Sequence, residues 1–114
     1  MNNHKVFYTI VLMLIFVSVN AQVGAIGGKI LNTRGDEIYK PKIVVTKNTD
    51  GSFVKEVVAD KYGNYEIKPL LPGSYNLQFL AKDYDSLTQM GLLVREDTYT
   101  HLDVKLKPID KKKK

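Results

Sequence analysis

Residues 57–84, VVADKYGNYEIKPLLPGSYNLQFLAKDY, read as strand, turn, strand, turn, strand. Asp60, Gly63 and Asn64 concentrate turn chemistry at the first break. Glycine takes φ > 0 at no steric cost, and short polar side chains bond nearby backbone amides. A β-prone run, residues 53–59, precedes this turn, and Tyr65-Glu66-Ile67-Lys68 follows it with apolar and charged residues alternating. Period-two alternation bounded by turn residues is a hairpin signal. Pro69 and Pro72-Gly73 are expected to end the second strand and redirect the chain, with Gly73 needing φ > 0 or a tight backbone approach. In the third run, Tyr75, Leu77, Phe79 and Ala81 share one face, and Asn76, Gln78 and Leu80 take the other.

The flanks continue the pattern. Ile26, Gly28 and Ile30 fit one inward strand face, and residues 32–37 a turn. The β-branched run of residues 42–47 reads as a second strand, closed by a turn at residues 48–51 that ends in Asp50-Gly51. Residues 83–90 read as a polar crossing, 91–94 as a short strand and 95–98 as a turn. From residue 99 to 107 the chain alternates, with Leu102, Val104 and Leu106 inward and His101, Asp103, Lys105 and Lys107 outward. Many short strands with regular turn signals and no helical pattern imply a β-sandwich.

The ordered set Asp60, Gly63, Tyr65, Ile67, Leu71, Pro72, Gly73, Tyr75, Leu77 and Tyr84 resembles the carboxypeptidase regulatory-like domain. The resemblance covers residues 26–107. It implies an all-β fold, a seven-stranded Greek-key sandwich of the transthyretin-like (prealbumin-like) type. Asp60, Gly63, Tyr65, Pro72, Gly73, Tyr75 and Leu77 would then be its fold-defining turn and core residues. Two positions depart from the family pattern: Pro41-Lys42 stand where Gly-Ala is frequent, and Asp83 where Gly is frequent.

The chain has 114 residues, enough for one domain. Residues 1–21 read as a signal peptide: Lys5, then a nearly unbroken apolar run over residues 6–17, then Val19-Asn20-Ala21 as a cleavage site. About a dozen apolar residues are too few to span a bilayer, so no transmembrane span is expected after cleavage. Residues 22–108 form the expected domain and residues 109–114 a basic tail. Without Lys5 and the four terminal lysines, the 17 Lys and Arg fall to 12, equal to the 12 Asp and Glu. The domain itself is then neutral, and no nucleic-acid partner is expected. Cysteine is absent, so neither a disulfide nor thiolate chemistry is available.

Catalytic signals are sparse. Gly24, Gly27 and Gly28 lack the spacing and the following Lys-Ser/Thr of a phosphate loop. After cleavage His101 is the one histidine, too little for a zinc site, and no serine has a nucleophile-elbow context. The carboxylate pairs Glu96-Asp97, Asp83/Asp85 and Asp50/Asp60 fall on turns. Neither an enzyme activity nor a cofactor is expected. Tyr39, Tyr62, Tyr84 and Tyr99 lie near strand ends or turns and, with His101, are the candidate contacts. The resemblance implies a non-catalytic structural or protein-interaction module, exported and periplasmic, outer-membrane-associated or secreted. Its expected partner is an envelope protein or outer-membrane complex, met by a strand edge or by turns. The alternative is a carbohydrate-binding module that uses exposed tyrosines on a glycan.

Overall fold

A computed structural model describes residues 22–110. The expected signal peptide and the four terminal lysines lie outside the described residues. Eight strands follow one another: β1 (Gly24–Asn32), β2 (Lys42–Lys47), β3 (Phe53–Val58), β4 (Asn64–Leu70), β5 (Gly73–Leu80), β6 (Leu87–Val94), β7 (Tyr99–His101) and β8 (Val104–Leu106). In one sheet β1 pairs antiparallel with β4 and parallel with β7 and then β8. The other sheet runs β3-β2-β5-β6, antiparallel throughout. The fold is the expected β-sandwich.

β7 and β8 occupy one strand position. Thr100 pairs with Ile26 and Val104 with Ile30, so the register along β1 does not shift. The ladder parts at Leu102 and Asp103, where the Leu102 amide still donates to Gly27 O (2.9 Å) and the Asp103 carboxylate accepts from the Lys29 amide (2.8 Å). Counted by position, the sandwich has the seven strands expected, the last of them interrupted.

The core follows from the alternation. Ile26 and Ile30 of β1, Ile43 and Val45 of β2, Ile67 of β4, and Leu77 and Phe79 of β5 are fully buried between the sheets. Each such burial contributes about 1.5–3 kcal/mol. Tyr65 meets Phe79 edge to face at 5.7 Å. The Asp60 turn forms as expected: its carboxylate accepts from the Tyr62 and Asn64 amides, both at 2.9 Å. Gly63 has φ 89°, and a methyl group on it would overlap the Ile30 carbonyl.

Three expectations are corrected. Gly73 does not adopt a left-handed conformation, and an added Cβ would find its nearest neighbours on the Tyr75 ring at 3.8 Å or more. The bend there is held instead by the Tyr75 hydroxyl, which donates to Leu71 O four residues back. Pro69 does not end the second strand but lies inside β4, because β4 is a sheet edge where proline removes no ladder bond. Residues 87–90 are not a crossing but the first half of β6. Gly91 (φ 66°) sits at a bulge in this strand, its amide held by Asn76 Oδ1 at 2.9 Å. β6 escapes an alternation reading because most of its side chains are exposed. Asp83, where the family pattern favours glycine, adopts φ 70°.

Leu77→Ala should lower stability by about 2–5 kcal/mol in chemical denaturation. Gly63→Ala should cost about 1–3 kcal/mol through backbone strain, whereas Gly73→Ala should stay within about 0.5 kcal/mol.

Candidate functional site

The outer face of the β4-β1-β7/β8 sheet gathers polar side chains that the register places side by side. Gly27 faces Glu66 on one side and His101 on the other, Lys29 faces Asn64, and Ala25 faces Tyr99. Lys68 pairs with Glu66 at 3.2 Å, and His101 Nε2 lies 3.0 Å from Asp103 Oδ1. The hydrogen bond from His101, with help from the Lys29 amide, holds the Asp103 carboxyl below its ordinary pKa. A shallow concavity of about 700 Å³ extends from this side to β3 of the other sheet, with Lys29, Val57, Val58, Asp60, Asn64, Glu66, Tyr99, His101 and Asp103 among its walls.

Two tyrosines cross β1 on opposite faces. From β4, Tyr65 passes on the core side and its hydroxyl donates to Leu102 O. Burial, then the nearby Asp103 charge, raises the Tyr65 pKa. From β7, Tyr99 lies on the outer face with the hydroxyl end of its ring over Gly27, where any Cβ would overlap it. Gly28 is similarly closed to a side chain by the Leu102 backbone.

Of the five predicted contacts, the fold brings Tyr99 and His101 to one surface. Tyr39 is 80% exposed and lies in a separate depression with Lys40, whose ammonium is 5.3 Å from its ring centre. Tyr62, on the Asp60 turn, has the Lys61 ammonium at 5.1 Å. Tyr84 is half-buried against the core and accepts from Asn32 Nδ2 at 3.3 Å, a structural placement. Asn32 itself is buried and its Oδ1 accepts the Arg34 and Asp36 amides, shaping the turn after β1. The sequence reading left Glu66 and Gly27 out of the site, since strand order, not spacing, sets them beside His101. Asp103 was not among the predicted contacts either, although it follows His101 by two residues on the same outward face.

A second surface feature is β6, an outer strand of its sheet. Its eight residues, LTQMGLLV, include no charge and no proline. Leu87 and Gln89 align with the buried Phe79 and Leu77 yet are exposed, so the facing sheet does not cover them. Met90 and Leu93 are also exposed, at 62% and 52%. The other outer strands carry safeguards: Lys55 and Glu56 on β3, Pro69 and two charges on β4, and the interruption between β7 and β8. Among the described residues no group of three or more His, Asp or Glu could hold a metal ion, and no helix is long and apolar enough to cross a membrane.

Fold and strand order define a prealbumin-like sandwich. The carboxypeptidase regulatory-like domain model matches residues 25–107, and the chain belongs to that family. No curated protein sequence matches it. Among solved structures it is similar to a Bacteroides uniformis protein to which carbohydrate binding has been ascribed (TM-score 0.62, 17% identity, 77% of this chain and 43% of the other). It is similar also to a minor pilin of Streptococcus agalactiae (0.60, 12%, 81% and 47%). A 3-chlorocatechol 1,2-dioxygenase of Rhodococcus opacus shares the fold too (0.60, 9%, 79% and 62%). The chain spans less than two thirds of each of these proteins. At these identities the likeness is one of fold, which hosts both binding and catalysis.

Tyr65→Phe should cost about 1–3 kcal/mol in urea denaturation, by stranding the Leu102 carbonyl. The Asp60 pKa is also lowered, chiefly by the Asn64 amide. Carboxyls depressed in the folded state stabilise it above their ordinary pKa of 3.8 and lose that contribution as pH falls below it. Melting temperature should therefore drop on acidification below 3.8, and Asp60→Asn should flatten that slope while lowering the neutral-pH value.

Proposed function

We propose that this domain is a non-catalytic docking module of the bacterial cell envelope, which receives an extended segment of a partner protein along β6. One observation carries the reading: β6 is the outer strand without charge or proline, broken only by the bulge at Gly91. Its open edge offers backbone donors and acceptors in two runs, 87–89 and 92–94, on either side of the Gly91 bulge. Strand addition takes affinity from such main-chain bonds and specificity from alternate side chains. Leu87, Met90 and Leu93 supply apolar contacts beside it. The pilin neighbour supports an envelope or extracellular setting. Export through cleavage after Ala21 belongs to the same proposal, and intact mass of the protein recovered from cells should show a chain beginning at Gln22.

A photo-crosslinking residue at Thr88 should give one discrete adduct with an envelope protein, and the same residue at Thr46, on an interior strand of the sheet, should not. Gln89→Lys with Leu93→Lys should cut adduct yield about tenfold or more while the domain stays folded. Equal adducts from both positions, or yield unchanged in the lysine variant, would overturn the reading.

A second reading, saccharide binding, has its own support. Tyr99 and His101 are the predicted contacts that share one concavity, beside carboxylates able to bond sugar hydroxyls. The neighbour with ascribed carbohydrate binding has the same fold.

A further inference from the structure

Resting on the saccharide reading, we infer that the outer face of the β4-β1-β7/β8 sheet is a stacking site for neutral pyranose oligosaccharides. Tyr99 is the platform, Gly27 the residue that keeps the platform flat, and Glu66, His101 and Asp103 the polar rim.

The platform follows from sterics. An aromatic side chain on a sheet normally stands off the surface, kept up by the side chains of the next strand. Tyr99 meets none at Gly27, because its ring end lies where a Gly27 Cβ would be. One ring face is thus turned to the sheet, while the residue stays 52% exposed. A ring held down in this way loses little freedom when a ligand stacks on it. Tyr39 and Tyr62 lack this arrangement: each has its neighbouring lysine over its ring instead.

The rim sets the ligand class. Sugars present an apolar face of C–H groups and a girdle of hydroxyls, so they need an aromatic surface with acceptors and donors at its margin. Glu66 and His101 flank Gly27 in register, and Asp103 is fixed by the Lys29 amide and His101. The concavity carries the carboxylates of Asp60, Glu66 and Asp103 against the ammonium of Lys29, with Lys68 paired to Glu66, which leaves carboxylates in excess by one. That balance repels uronic and sulfated sugars and leaves neutral ones. Its volume of about 700 Å³ falls within the range of small-ligand sites, and its shallow form suits an oligosaccharide lying across it.

The test is an NMR titration of the purified protein with cello-, xylo-, malto- and mannohexaose as neutral probes and oligogalacturonate as the anionic one. Saturable shifts centred on the Gly27, Lys29 and His101 amides are expected with at least one neutral series and none with oligogalacturonate. Tyr99→Ala should abolish them. Gly27→Ala, which keeps Tyr99 but lifts its ring, should weaken binding about tenfold with the spectrum still that of the folded domain. Tyr62→Ala should bind as the parent does. Silence from every probe would overturn the saccharide reading and the site together. Binding that survives both Tyr99→Ala and Gly27→Ala would keep the reading and overturn this site. A preference for oligogalacturonate would overturn the ligand class.

Discussion

β1 joins the smaller sheet together, and the absence of side chains at Gly27 and Gly28 is what allows it to. On the core side, the bare Gly28 lets Tyr65 reach from β4 across β1 to the Leu102 carbonyl. On the outer side, the bare Gly27 lets Tyr99 reach back from β7 toward β4. The two aromatic side chains brace opposite faces of one strand. The break between β7 and β8 falls at the same level. There Leu102 approaches Gly28 too closely for any side chain, and Asp103 supplies with its carboxylate the acceptor that the Lys29 amide would otherwise lack. Between sheets, the Tyr65 ring packs on Phe79, so the brace on β1 is continuous with the core. A buried hydroxyl and carbonyl that satisfy each other avoid a desolvation cost of about 1–3 kcal/mol for the one left alone.

This arrangement shows which features a sequence exposes. Hairpins closed by side-chain chemistry were legible: Asp60 and Gly63 do what their residue types dictate, and the period-two faces of β4 and β5 bury the residues the alternation selects. Positions governed by the far side of the sheet were not. Gly73 looked like a turn glycine because Pro-Gly is a turn dipeptide, yet the bend is secured by the Tyr75 hydroxyl. Gly28 was legible as an inward strand residue, but the role of Gly27 and Gly28 as contact glycines was not, because the reason is carried by Tyr99 and Leu102 some seventy residues away. β6 was half missed because an outer strand whose inward positions are uncovered has no need to alternate. Likewise the five candidate contacts could be picked by type but not grouped, since strand order decides which of them meet.

The same strand order separates the two proposed surfaces. β6 closes one sheet, while Tyr99, Glu66 and His101 stand on the outer face of the other, around β1. A segment added to β6 extends the β3-β2-β5-β6 sheet in its own plane and leaves the Gly27 face open. A saccharide on Tyr99 in turn meets none of the backbone groups along β6. Neither ligand has a steric reason to exclude the other, since the two surfaces lie on different sheets. Independent occupation is therefore what the strand order favours for the two proposed contacts, one along the β6 edge and one on the Gly27 face of the opposite sheet.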